Sequence, residues 1–185
     1  MIADALKEAE QKMKGSIEHT REEFATIRTG RASPAVLQKI TVDYYGTQTP
    51  LVQLAQINVP DPRSLAITPY DKGAMGAIEK AIQSSDLGIT PNNDGQNIRI
   101  AFPPLTEERR KELIKVVRDR AEQGRVAIRA VRRHAKDSLD KALKDGHVSE
   151  DDIRRSEKEL QALTDRFIAE VDEMLKRKEA ELLEV

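Results

Sequence analysis

Residues 106–144 read TEERRKELIKVVRDRAEQGRVAIRAVRRHAKDSLDKALK, and the way this stretch repeats decides the fold. Ile114, Val117, Ala121, Ile128, Val131, Ala135, Leu139 and Ala142 return at steps that keep one side of a 3.6-residue helix apolar. Thr106 stands where an N-cap belongs, and Glu107 and Glu108 sit in the first turn, where the helix dipole favours negative charge. The spacing therefore predicts one rod of ~60 Å, at 1.5 Å per residue. Pro103-Pro104 precedes it and Asp145-Gly146-His147-Val148 breaks it. Gly124 lies mid-rod, where it costs ~1 kcal/mol relative to alanine, and the sequence offers no reason for it beyond a bend or a close approach.

Working outward, Ser149 with Asp152 three residues on forms a capping-box-like start for a helix striped by Ile153, Leu160, Leu163, Phe167, Val171, Met174 and Leu182. At the other end of the chain, Leu6, Ala9, Met13, Ile17, Thr20, Phe24 and Ile27 give a third stripe over Ile2 to Ile27. Gly30 in Arg28-Thr29-Gly30-Arg31 is expected to close that helix as a left-handed cap. A lone amphipathic helix is marginal in water, so the three must pack on one another. The first helix then reaches the last two across an intervening segment that holds all eight prolines, from Pro34 to Pro104. That segment carries short β-rich runs at Ile40 to Tyr45, Ala55 to Val59, Leu65 to Thr68 and Asn97 to Phe102, with one helix over Asp71 to Ser84. The expected fold class is α+β. Residues 1–30 and 105–185 make a discontinuous long three-helix bundle, and residues 31–104 an inserted small β/α/β domain. The Gly- and Pro-bearing crossings, Gly30, Arg31, Ala32, Ser33 and Pro34 on one side and Pro103 and Pro104 on the other, are expected to act as a hinge.

Composition bounds the chemistry. Cysteine is absent, which removes disulfides, thiol catalysis and sulfur-based zinc sites. No apolar run reaches the ~18 residues of a membrane span, and no basic-then-apolar leader opens the chain, so a cytoplasmic location is expected. Lys plus Arg number 31 against 32 Asp plus Glu, so any bias toward nucleic acid must be local.

It is local. Between Val117 and Lys136 the bases Arg118, Arg120, Arg125, Arg129, Arg132, Arg133 and Lys136 meet only the acids Asp119 and Glu122. At ~100° per residue, Arg118, Arg125, Arg129, Arg132 and Lys136 fall within about 40° of one line, roughly a quarter turn from the apolar stripe. Arginine forks grip phosphate oxygens, which suits such a row to a nucleic-acid backbone. The bland reading is a solvated face whose arginines pair with the acid-rich last helix, where Glu150 to Val185 holds twelve acids against seven bases. A third reading is a helical adapter that grips protein through apolar edges. Arg28 and Arg31 sit at the domain crossing, and Arg109, Arg110 and Lys111 oppose the dipole at the start of their helix, so binding is also a candidate use for these.

Other constellations carry less. Tyr44 and Tyr45 are neighbours on a strand and point to opposite faces, one toward the core and one free to stack. His19, His134 and His147 lack ligand spacing, Gly73 and Gly76 lack the Lys-Ser/Thr of a phosphate loop, and Asp151-Asp152 reads as capping. No nucleophile arrangement is present, so no enzyme and no cofactor are expected.

Taken together, Ile27-Arg28-Thr29-Gly30-Arg31-Ala32-Ser33-Pro34, Tyr44-Tyr45-Gly46, Asp94-Gly95, Pro104-Leu105-Thr106-Glu107-Glu108-Arg109-Arg110, Arg125-Val126-Ala127-Ile128-Arg129, Arg132-Arg133 and Lys178-Glu179-Ala180-Glu181-Leu182 resemble the bacterial ribosome recycling factors along essentially the whole chain. The resemblance implies an L-shaped molecule like a tRNA in outline, acting after termination. It implies binding between the subunits on large-subunit ribosomal RNA, with Arg129 and Arg132 as the strongest contacts and Arg28, Arg31, Arg110, Arg125 and Arg133 as neighbours. It further implies that elongation factor G, which hydrolyses the GTP, faces the insert and drives subunit splitting and release from mRNA. The implied partners are the ribosome and elongation factor G, with no membrane, and the chain is expected to be monomeric.

Overall fold

Helical periodicity at both ends and proline-rich irregularity between them produce the elements of the computed structural model, which describes residues 1–184. In chain order these are α1 (Ile2–Ala25), β1 (Thr41–Tyr44), β2 (Thr47–Pro50), α2 (Leu51–Leu54), β3 (Ala55–Asp61), β4 (Ser64–Pro69), α3 (Met75–Gln83), β5 (Asn92–Asn93), β6 (Ile98–Ala101), α4 (Glu107–Lys144) and α5 (Glu150–Leu183). The chain divides into two compact units, residues 1–27 with 107–184, and residues 28–106.

The first unit is the three-helix bundle α1, α4 and α5, each helix packed on the other two. Ala9, Met13, Ile17 and Phe24 of α1 meet Val117, Ala121 and Ile128 of α4 and Ile153, Leu160, Phe167 and Val171 of α5 in its core. The stripe of α4 enters the core at Leu113 rather than Ile114, which is only half-buried. Ile114 lies some 60° from the centre of the buried face, toward the cationic edge. Between α4 and α5 the chain turns tightly: Gly146 adopts φ +76°, its N–H donates to Leu143 O at 3.0 Å and that of His147 to Ala142 O at 3.1 Å. This is the hydrogen-bond pair of a Schellman cap. Ser149 then opens α5 with a complete capping box, its hydroxyl accepting from Asp152 N–H at 3.1 Å while its own N–H donates to the Asp152 carboxylate at 3.4 Å.

The bundle also buries hydroxyls. Thr20, Ser156 and Thr164 are almost fully enclosed. Each donates to the carbonyl one turn back on its own helix: Thr20 to Ser16 O at 2.9 Å, Thr164 to Leu160 O at 2.7 Å and Ser156 to Asp152 O. Satisfied internally, such hydroxyls escape the cost of an unpaired buried donor. Gly124 is explained by the first of them. A Cβ built there would stand 2.5 Å from Thr20 Oγ1, so with Thr20 placed as it is the crossing of α1 and α4 leaves no room for a side chain at position 124.

Helix α1 ends at Ala25, with Thr26 as a right-handed C-cap whose hydroxyl donates to Glu23 O at 2.7 Å. Gly30 is therefore not its cap, contrary to the sequence expectation. Its φ of +79° serves a turn inside the second unit, against the Leu105 side chain.

That second unit holds a four-stranded antiparallel sheet in the order β3-β4-β6-β5 and a separate hairpin, β1-β2. The hairpin turns at Tyr45-Gly46, both at positive φ (+49° and +82°), the two-residue turn whose twist matches its strands. Alternation on β4 and β6 sends Leu65, Ile67, Ile98 and Ile100 inward, where they close with Leu37, Val42, Leu51, Ile78 and Ile82 into one aliphatic core. Each such side chain contributes about 1.5–3 kcal/mol by burial. Strand β2 and the two-residue β5, which carry no apolar alternation, were not expected from the sequence; each pairs through its backbone with β1 and β6 respectively.

Candidate nucleic-acid interface

The cationic edge of α4 exists as the helical spacing requires, but it is not uniform. Toward its N-terminal end the carboxylates of neighbouring helix faces hold it. Arg118 Nε donates to Glu179 Oε1 of α5 at 2.6 Å. Arg125 is forked onto Asp172 of α5, with Nε at 2.8 Å and the second nitrogen at 2.6 Å, and gives a third bond to Glu122 at 3.1 Å. The Arg125 side chain is only 18% exposed. Burial works against its charge, yet the bonds to Asp172 and Glu122 hold its pKa above the ordinary guanidinium value. Glu122 in turn lies below the usual carboxylate range because Arg125, and then Arg129, donate to it.

Further along, the pairing stops. Arg129 reaches back to Glu122 Oε1 at 3.2 Å. Beyond it, Arg132, Arg133 and Lys136 meet no carboxylate within ion-pair distance among the described residues. Arg132 is half-buried while Arg133 and Lys136 are exposed. Arg118 and Arg125 are thus paired with α5 as the bland reading has it, Arg129 is paired within α4, and Arg132, Arg133 and Lys136 are the cations without an ion pair among the described residues. An unpaired cluster of cations on a rigid helix is an anion-attracting surface, and arginine forks give it phosphate geometry.

Of the other expected site residues, Arg110 lies in the first turn of α4 and is half-exposed. Arg28 and Arg31 belong to the second unit. Arg28 lies over the Phe102 ring, 5.1 Å from its centroid, and donates to Leu87 O at 3.1 Å. It therefore ties the entry of that unit to the end of β6. The expected hinge residues Gly30, Arg31, Ala32, Ser33, Pro34, Pro103 and Pro104 also fall in this unit, where Ala32 N–H donates to Pro62 O at 2.8 Å and the Ser33 hydroxyl accepts from Ala35 N–H at 3.3 Å. What the sequence did not reveal is which acids of α5 pair with the row, Asp172 and Glu179. Glu122 did leave a signal, three residues before Arg125 and seven before Arg129, on the same helical edge.

Tyr44 and Tyr45 are not the strand neighbours on opposite faces that the sequence suggested: β1 ends at Tyr44, Tyr45 is a turn residue at positive φ, and the two rings pack edge-on with centroids 4.6 Å apart. Tyr44 is half-buried and its hydroxyl donates to Asp71 at 2.8 Å, while Tyr45 is 80% exposed. Among the described residues no group of His, Asp and Glu is arranged to hold a metal ion, and no helix is long and apolar enough to cross a membrane.

Comparison with known proteins places this architecture. The family model described as ribosome recycling factor matches residues 20–183. The ribosome-recycling factor of Acidothermus cellulolyticus is 63% identical over 185 residues, covering both chains fully, and that of Thermobifida fusca 58% identical over the same span. A solution structure of a ribosome recycling factor superposes with a TM-score of 0.80 at 41% identity, covering 100% of this chain and 98% of that one. A second, at TM-score 0.68 and 47% identity with full coverage of both chains, is the Thermus thermophilus factor, described with Escherichia coli elongation factor G as bound to the E. coli post-termination complex. On sequence along its full length and on fold, this chain belongs to the ribosome recycling factor family.

Proposed function

We propose that this chain is a translation factor that recycles ribosomes after termination. It binds between the subunits with the edge of α4 on large-subunit ribosomal RNA. Elongation factor G then hydrolyses GTP and splits the complex, releasing it from mRNA. The observation that carries the RNA contact is the unpaired stretch of α4. Arg132, Arg133 and Lys136 have no internal carboxylate among the described residues, and Arg129 shares just one. Cations left without counter-ions on a helix where others are paired are the ones available to phosphate. The relative seen on the post-termination complex with elongation factor G supports the setting. In this reading the bundle is the RNA-binding unit, Arg129 and Arg132 make the principal contacts, and Arg125 and Arg133 flank them. Arg110 on the same helix, and Arg28 and Arg31 in the second unit, are further contacts in this reading. Arg28 has guanidinium donors beyond the one given to Leu87.

The test is the double reversal Arg129→Glu with Arg132→Glu, measured as binding to isolated large subunits across a salt series and as subunit splitting with elongation factor G and GTP. Removing two charge-assisted bonds to phosphate is expected to weaken binding on the order of a hundredfold. It should also flatten the salt dependence by roughly 0.7–0.9 for each phosphate no longer neutralised, and splitting should fall with it. Unchanged affinity in a variant whose helical spectrum matches the parent refutes the assignment of the row.

A further inference from the structure

The half of the cationic edge that is paired is not merely neutral surface, because one of its carboxylates is placed differently from the others. Asp172 and Glu179 come from α5 and tie α4 into the bundle. Glu122 lies on α4 itself, in line with the row, and spans two of its arginines. One carboxylate oxygen accepts from Arg125 at 3.1 Å and the other from Arg129 at 3.2 Å. Two oxygens on one centre, each taken by a separate guanidinium, is the arrangement a bridging phosphate would adopt. The Glu122 side chain is 55% exposed, so an incoming anion can reach the same donors from solvent. Arg125 has Asp172 of α5 as a second anchor, whereas Arg129 has Glu122 alone among the described residues.

From this we infer that Glu122 is a resident stand-in for phosphate that governs how selectively the α4 edge takes RNA. In the free chain it occupies Arg129 and holds that side chain along the row. An RNA that offers a single phosphate to Arg129 must displace an existing pair for little net gain. An RNA whose backbone also engages the open Arg132, Arg133 and Lys136 in one pose has binding free energy to spare for that exchange. The carboxylate thus penalises loose, single-point encounters more than the intended surface, which is discrimination by a built-in competitor rather than by base readout. This inference rests on the reading of the α4 edge as the RNA-binding surface.

The test compares the parent with Glu122→Gln, which keeps length and helix propensity and removes the charge. Binding is measured to an unrelated RNA hairpin and to large subunits over a salt series. The variant is expected to bind the hairpin about two- to fivefold more tightly, the range set by an exposed ion pair. Its salt dependence on the hairpin should be steeper by about 0.7–0.9, the increment of one further neutralised phosphate. Its preference for large subunits over the hairpin should shrink. A role limited to supporting the helix moves none of these three readouts. Hairpin affinity that is unchanged or weaker, or that rises without a steeper salt dependence, overturns the inference. Glu179→Gln serves as the contrast. It removes one charge and the tie from α5 to Arg118, which is not among the proposed RNA contacts, and leaves the Glu122–Arg129 pair standing. It should therefore lower stability without tightening hairpin binding, and tighter hairpin binding by this variant also overturns the inference. The Arg129 and Arg132 reversal, run alongside, separates the two failures. If that reversal abolishes large-subunit binding while Glu122→Gln changes nothing, the competitor role alone is wrong; if the reversal is silent, the interface itself is.

Discussion

The bundle and the insert bury their interiors by different means. In the bundle the buried faces interleave apolar side chains with Thr20, Ser156, Thr164 and Gly124. The insert closes on Leu, Ile, Val, Met, Ala and Phe. The difference follows from where each backbone spends its hydrogen bonds. A helix offers every buried hydroxyl a carbonyl one turn back, so a threonine can be buried without a partner from another helix. It then makes room for a close crossing. A sheet commits its carbonyls to neighbouring strands, leaving a buried hydroxyl nothing local to bond, and its core is correspondingly aliphatic. Both units bury large apolar side chains, but the bundle also accommodates enclosed hydroxyls and a glycine at a close crossing, which the insert's core does not.

Three measurements break or sharpen that contrast. The largest effect is expected from Ile67→Ala. Ile67 is fully buried on β4, and truncation should cost ~2–5 kcal/mol, a large share of what a small domain has in total. Amide exchange should show residues 28–106 opening while the α1, α4 and α5 amides stay protected. Equal loss of protection in both units would mean that they share one cooperative core and that the contrast is superficial.

Next comes Gly124→Ala. Helix propensity alone would make it stabilising by ~1 kcal/mol, but the clash with Thr20 should reverse the sign and leave a net loss of ~1–3 kcal/mol. Thr20→Ala removes the obstructing oxygen, so in that background the same change should turn favourable. Urea unfolding of the four proteins gives the coupling, and additive effects would show that the crossing is looser than drawn.

The smallest effect is acid-dependent and local. Asp61 is held below the ordinary aspartate value of 3.8 by the Ser64 hydroxyl, Asp71 by the Gly73 N–H and Asp94 by the Asn97 N–H. A carboxylate with a depressed folded pKa stabilises the native state above the unfolded value and loses that contribution as pH falls through the folded one. Protection factors at the turns 61–64, 71–73 and 94–97, measured against intrinsic exchange at each pH, should therefore fall below pH ~4, before those of the bundle core respond. Asp94→Asn should abolish the pH dependence at its own turn only.

The bundle was the legible part of the sequence. A stripe repeated over α4 and α5 survives local exceptions: Ile114 stands in place of Leu113, Val131 and Leu163 are only half-buried while Ser156 and Thr164 are enclosed, and Gly30 was read in place of the cap that Thr26 provides. The insert was legible where strands alternate. It was opaque at Thr47–Pro50 and Asn92–Asn93, whose pairing rests on backbone bonds that leave no mark on side-chain pattern. The cationic edge could be read from angles along one helix. Its counter-ions Asp172 and Glu179 could not, because which residue of α5 meets which residue of α4 depends on the axial register of two helices, and that is settled by packing. Gly124 was unreadable for the same reason, its justification lying on α1.

That glycine also fixes where α4 can sit along α1. It is the only glycine on α4. Sliding α4 along α1 by one turn, ~5.4 Å, would bring Ala121 or Ile128 onto Thr20, and each carries the Cβ that the crossing excludes. The crossing works as a detent, opposing axial slip in either direction without any bond across it.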